Sequence, residues 1–550
     1  MSLSRYFQTV RHFRFVQIYG RVWFRLYQPW PDVRPASQCR RRIGTWQAWS
    51  WRQSLMENAE TFRFLNVTDS VHTLANWDNP TQLKLWRYNL HYFDDLVACN
   101  VAVRSDWHRT LIARWVGENP PGFGTGWEPY PTSLRIVNWM KWSLAASARG
   151  ESVLDTQALN SLATQTRWLR KKLEIHLLAN HLWANAKALV FAGSFFEDAE
   201  AQRWLDKGIA ILQCELQEQI LHDGGHFERS PMYHAILLED VLDLINLAQV
   251  FPDCFRLSLL DQLYHVAPRM LYWLRVMTHP DGKISFFNDA AFGIAAEYSQ
   301  LSEYACRLGI HVNEHQLAPI ELLGDVGYVR LQNDRAVLLC DVAPIGPDHL
   351  PGHAHADSLS FELSLDGRRV LVNGGTSVYE RGPERQRQRG TAAHNTVVVD
   401  GEDSSEVWGS FRVAKRAHPF DVTWGSEKGK LWLEAAHDGY KRLPGRVVHR
   451  RRWVLRSEGL DVEDRVEGRF ETASLYLHLH PDVVPRVDER SGEGVVLEGN
   501  GRAHIRVSTD PLSKLRMADS TWHPEFGKTL ENKTVTASFR GGSVVTRLRW

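Results

Sequence analysis

Hydrophobic residues in this chain change their spacing once, and the change divides it. From about residue 55 to 312 they recur every three or four positions, in segments 131–149, 156–177, 179–196, 201–220, 232–250 and 256–278, which is the period of an amphipathic helix. Short breaks such as HDGG (222–225), FPD (251–253) and HPDG (279–282) separate them, so the helices are expected to stack as antiparallel hairpins in a bundle or toroid. After about 320 the residues alternate and become β-branched, as in GYVRLQNDRAVLLCDV and HNTVVVDGE, with turns such as LDGR and EGNGR. Many short strands without intervening helices predict antiparallel sheets, a sandwich or super-sandwich. The expectation is a multidomain α+β chain: a leader over 1–55 whose fold the pattern leaves open, helical hairpins over 56–315, and an antiparallel β-sandwich over 316–550.

Charge narrows the partners. Lys and Arg total 65 and Asp and Glu 64 over 550 residues, a balance that argues against a nucleic-acid footprint. No apolar run is long enough to span a bilayer. Six dispersed cysteines with no CxxC read as reduced thiols, not as a disulfide framework or a zinc ribbon. The 22 tryptophans are either core filler or flat platforms for sugar rings. The first thirty residues are basic and aromatic, and Arg11, Arg14, Arg21 and Arg25 interrupt any signal-like apolar stretch. A cytoplasmic chain is therefore expected, with an amphipathic segment resting on a membrane surface or on the rest of the protein. Oligomeric state is not written in the sequence.

Several clusters carry polar chemistry. His353 and His355, in PGHAHADSLSF, stand two apart where alternation begins, so on a strand both rings point to one face. A second such pair, His478 and His480, serves as the control and reads as structural. Asn373 and His394 stand at strand edges; with His355 they make either a three-ligand zinc site or a hydrogen-bonded polar cluster at a domain interface. Asn180 and His181, at the start of an apolar helix, offer amide and imidazole donors to one anion. Tyr233 and His234 follow Pro231 at another helix start, where aligned N–H dipoles favour a phenolate. Trp127, Tyr130, Arg135, Asn138 and Trp139 fall on and before a helix and suit a stacked, negatively charged sugar, or a helix–helix contact.

The stretches ANHLWANAKALVFAG, DGGHFERSPMYH, GHAHADSLSFEL, LVNGGTSVY and TAAHNTVVVDG resemble, in order and spacing, the heparinase II/III-like polysaccharide lyases, over roughly residues 80–410. The resemblance implies an incomplete (α/α) toroid followed by an antiparallel β-sandwich, and β-elimination at a uronic acid in an acidic polysaccharide or oligosaccharide. It assigns Asn180 and His181 to neutralising the uronate carboxylate, Tyr233 to proton transfer and His353 to a second catalytic histidine. Glu228, Arg229, His234 and, loosely, Tyr379 join Trp127, Tyr130, Arg135, Asn138 and Trp139 as substrate contacts. His355, Asn373 and His394 match the ligands of a structural zinc, with Asn373 where the family typically has Asp, a neutral oxygen in place of a charged one. Members without a signal peptide are associated with capsule, exopolysaccharide or O-antigen production. Two alternatives stay open: a glycan-binding protein that does not cut, and a toroid-fold hydrolase, for which Glu228, Asp289 and Asp357 are the candidate carboxylates.

Overall fold

The computed structural model describes residues 3–312, 315–487, 494–499, 504–510 and 515–550. Helices α1 (Leu3–Val10) and α2 (Phe15–Leu26) precede an extended strap and a hairpin of Thr61–Phe64 with Val67–Ser70. The helical part then runs α3 (Lys84–Tyr92), α4 (Ser105–Glu118), α5 (Pro129–Ser147), α6 (Thr156–Lys171), α7 (Ala179–Phe195), α8 (Ala199–Gln219), α9 (Pro231–Val250), α10 (Leu257–Val276) and α11 (Tyr298–Arg307).

Capping fixes several of these starts. Asp155 and Asp198 accept the N–H groups of Ala158 and Ala201, and Ser230 accepts that of Tyr233 behind Pro231. Helix α7 is apolar on every side and is buried almost throughout. It packs closely on α8, where a Cβ on Gly193 would stand 2.5 Å from the backbone N of Leu205. Most tryptophans of the helical part are core. Trp77, Trp86, Trp115, Trp139, Trp142, Trp183 and Trp204 are each at most 2 % exposed, so none of them is a platform open to a sugar.

All paired strands of the second half are antiparallel. A five-stranded sheet runs Ile320–Leu323, Tyr328–Gln332, Ala336–Asp341, Phe361–Leu365, Arg368–Leu371 in sequence order. An eight-stranded sheet begins Pro419–Glu427, Lys430–His437, Val448–Arg456, Gly459–Glu467 and continues into Ser543–Arg549. Val397–Val399 pairs with Ala473–His478 in a four-stranded sheet. Inward residues of these sheets, among them Leu338, Phe361, Leu433 and Trp453, share one apolar core.

The two halves are joined by a core and by charge. Trp273, Phe287, Val326, Tyr328 and Leu339 pack together across the junction. Beside them His279 Nε2 lies 2.9 Å from Glu362 Oε2, and Arg369 bonds Asp281 at 2.7 Å. The polar residues of the site lie along this seam.

Candidate functional site

Asp289 is the hub. It sits in the loop between α10 and α11, fully buried. Its Oδ2 is 2.9 Å from Nδ1 of His353 and its Oδ1 is 2.9 Å from Nε2 of His355. Arg385, from the short helix α12 (Pro383–Arg389), grips the same carboxylate with both terminal nitrogens, and Thr376 Oγ1 donates at 3.2 Å. Burial alone raises a carboxyl, but Arg385 and the two imidazoles outweigh it and hold Asp289 well below the ordinary carboxylate range. An ionised carboxylate only accepts, so Nδ1 of His353 and Nε2 of His355 carry the hydrogens. In a neutral ring of that tautomer the opposite nitrogen presents a lone pair.

The two histidines reach this carboxylate from a loop, residues 342–360, and not from a strand. Their convergence comes from Asp289 standing between them and from Arg389, which donates to the Ala354 carbonyl. In the control pair, His478 is held by the Ala392 carbonyl and Thr534.

Tyr233 is packed on His353, ring centroids 3.9 Å apart, and its hydroxyl is 2.9 Å from that of Tyr379. The Ser230 hydroxyl donates to the carbonyl of Asp289 while its oxygen caps Tyr233, and Asp289 N–H donates to His353 O. Phenol, imidazole and carboxylate are thus fixed by one backbone junction. The expected phenolate is overridden: burial, then the nearby Tyr379 and Asp289, push Tyr233 well above its ordinary range. It is a neutral phenol.

Asn180 and His181 open α7 behind a strained turn. Leu178 (φ 60, ψ −160) and Ala179 (φ 44) both lie in the left-handed half of backbone space, at roughly 1–3 kcal/mol for such a residue. Asn180 is half-buried, with no side-chain hydrogen bond among the described residues. His181 Nδ1 is 3.1 Å from Glu174 Oε1, and its ring lies 4.6 Å from that of Tyr130. Burial lowers a histidine, yet here the Glu174 carboxylate wins and raises His181. Glu174 is in turn clamped by the fully buried Asn185, which donates to Oε2 and accepts from the Glu174 N–H. Burial raises the Glu228 carboxyl against the lowering charges of His353 and His181, and its Oε2 has no hydrogen-bond partner among the described residues.

Several expected substrate contacts are turned elsewhere. Trp127 and Trp139 are sealed in the helical core, at 3 % and 0 % exposure. Arg135 is equally buried, bonded to Gln165 and the His91 carbonyl with its guanidinium 3.8 Å over Trp115. Asn138 spends its amide on the Tyr92 carbonyl and Asp94. These residues make the helix–helix contact that was the alternative, because their shared face turns inward. Arg229 donates to Val326 O and so ties the two halves together, whereas His234 lies between His226 N–H and the Met270 carbonyl, within the helical part. Of the hydrolase carboxylates, Asp289 is fully engaged and Asp357 is buried against Asp341, accepting from Asn288 N–H. Asp289, Arg385 and Glu174 carry no motif by which the sequence singles them out for these roles.

His355, Asn373 and His394 come together. The His355 and His394 rings are 5.3 Å apart, and Asn373 Oδ1 accepts from the N–H of Asn395 at 3.3 Å. All three are buried, and Nδ1 of His355 and both ring nitrogens of His394 lack a hydrogen-bond partner among the described residues. Burial, above all, depresses both rings, His355 to about 4 and His394 to about 3, so neutral imidazoles face each other. Orphaned imidazole nitrogens beside an amide oxygen fit a zinc donor set. Among the described residues no group of three or more His, Cys, Asp or Glu could hold a metal, so a zinc here would need Asn373 as its third donor.

Comparison with known proteins gives a coherent picture. A family model described as the heparinase II/III N-terminus matches residues 102–307, and one described as heparinase II/III-like, C-terminal, matches 315–550. A heparin-sulfate lyase of Bacteroides stercoris is 26 % identical over 42 % of this chain and 38 % of its own length. The chain thus spans well under half of that relative. FtsZ-localized protein C of Caulobacter vibrioides is 25 % identical over 77 % of this chain and 74 % of its own. A crystal structure of heparinase III superposes with a TM-score of 0.69 at 19 % identity, over 86 % of this chain and 79 % of that one.

Proposed function

Because this chain belongs to the heparinase II/III family, we propose that it is a polysaccharide lyase acting by β-elimination on a uronic-acid-containing glycan. One observation carries the reading: a neutral phenol packed on an imidazole whose tautomer is set by a buried carboxylate; a second imidazole, raised by Glu174, lies against Tyr130. We read the helical part as an incomplete (α/α) toroid and the sheets as a sandwich, with the cleft at their seam.

The hard step is removing a weakly acidic C5 proton beside a carboxylate that already carries charge. Asn180 and protonated His181 donate to that carboxylate and take up the density that builds on it. The Nε2 lone pair of His353 accepts the C5 proton. Those electrons form the C4–C5 double bond, the C4–O bond breaks, and Tyr233 gives its hydroxyl proton to the leaving oxygen. As the product departs His353 releases the C5 proton to water and Tyr233 regains one from water, its oxygen held 2.9 Å from the Tyr379 hydroxyl. Tyr130, against His181, is the wall for the sugar ring. His355, Asn373 and His394 would hold a zinc, whose charge would brace the loops around Asp289. Elemental analysis should find about one zinc per chain and none in His394→Ala; under a tenth of an equivalent in the wild type removes the metal. We place the enzyme in the cytoplasm, on a glycan of capsule, exopolysaccharide or O-antigen metabolism.

Mass spectrometry of acidic glycans incubated with the protein tests the reaction. Elimination yields fragments one water lighter than hydrolysis does, and hydrolytic masses would reject it. A second reading is a protein that binds glycan without cutting it. It predicts no fragments and retained binding.

A further inference from the structure

A surface helix normally turns its apolar stripe inward. Helix α2 does the opposite. Phe15, Ile18, Tyr19, Val22, Trp23 and Leu26 recur at three- and four-residue spacing and are all exposed, Phe15 by 77 % and Leu26 by 75 %. Its small and polar face is what docks. Gln17, fully buried, donates to the His349 carbonyl at 3.0 Å, and a Cβ on Gly20 would stand 2.9 Å from that of His176. Lys172 holds the Phe24 carbonyl at 2.9 Å. The neighbouring α1 repeats the arrangement, with Leu3, Phe7 and Val10 outward while Thr9, inward, accepts from Trp408. Trp30 follows, 88 % exposed.

Charge says what covers this face. Residues 1–31 hold five arginines and no Asp or Glu. Arg14 pairs with Glu218 at 2.6 Å, whereas Arg5, Arg11, Arg21 and Arg25 have no carboxylate partner among the described residues. At 100° per residue, Arg14, Arg21 and Arg25 fall along one edge of the α2 stripe. A second copy meeting this face about a two-fold axis would bring arginines against arginines. An anionic bilayer accepts both features: the stripe enters the acyl boundary and the arginines meet lipid phosphates. We propose that α1 and α2 form an interfacial anchor that seats the protein on an anionic lipid surface. Through Gln17 the anchor is bonded to the loop that carries His353.

Vesicle flotation with the full chain tests this. Phosphatidylcholine vesicles containing about a third phosphatidylglycerol should float the protein at least tenfold more than phosphatidylcholine alone, with binding falling steeply as salt rises. Replacing Val22, Trp23 and Leu26 together by Ser should abolish flotation with the thermal midpoint unchanged, since these side chains touch solvent. Arg21→Gln and Arg25→Gln should each weaken it about fivefold. Equal flotation on both vesicles, or flotation untouched by the serine variant, overturns the proposal. So does a dimer in sedimentation that Trp23→Ser dissociates without any vesicle dependence.

Discussion

His181 shows how one neighbour sets the working form of a side chain. Burial drives an imidazole toward neutrality, and Glu174 at 3.1 Å reverses this. If the imidazolium is the form that meets the uronate, activity is present below the raised value and lost as pH rises through it. Glu174→Gln removes the raising charge, so the alkaline limb of kcat/KM should move to lower pH, with the loss largest at the alkaline end. A limb that stays in place would show that His181 acts neutral. Asn180, His181, Tyr233 and His353 were all legible as candidates, since each stands in a short polar run inside an apolar frame. Glu174, Asp289 and Arg385 were not legible in these roles. Their meaning comes from what folds against them, and Asp289 is separated from His353 by 64 positions.

Among elements, α5 and α7 show what periodicity gives and withholds. It places Arg135, Asn138 and Trp139 on one face of α5, and that face exists; it does not say which way the face turns. Here it packs inward, because Trp115 supplies a π-face for Arg135, and Gln165 and the His91 carbonyl supply acceptors. Trp139→Ala should accordingly cost about 3–5 kcal/mol in denaturant unfolding while leaving the KM of the folded fraction unchanged. A raised KM with unchanged stability would restore the sugar-platform role. The start of α7 is different again: the positive φ at Leu178 and Ala179 is invisible in a sequence without glycine there. The strain marks the turn that delivers Asn180 and His181.

Across the whole molecule, the single change of hydrophobic period was enough to separate a helical part from antiparallel sheets, because the two periods demand different partners for burial. The seam between them was not legible, since it is built from single residues of both parts. Asp289 is its clearest joint, a helical-part carboxylate held by Arg385, His353 and His355 of the sheet part. Asp289→Asn leaves the buried Arg385 guanidinium without a charge partner and frees both imidazoles. It should lower stability by about 3–5 kcal/mol and kcat/KM by at least about a hundredfold, read by denaturant titration and initial rates. Unchanged stability would mean that the two parts do not depend on this contact.

The most direct test compares wild type with Tyr233→Phe on a panel of uronate glycans, following the ultraviolet absorbance of the unsaturated sugar. Removing one hydroxyl should leave folding and glycan binding intact and lower the rate on the order of a hundredfold to ten-thousandfold. Equal rates in the two proteins, or no absorbance from wild type on any glycan it binds, would contradict the account of a packed phenol and imidazole carrying protons through an elimination.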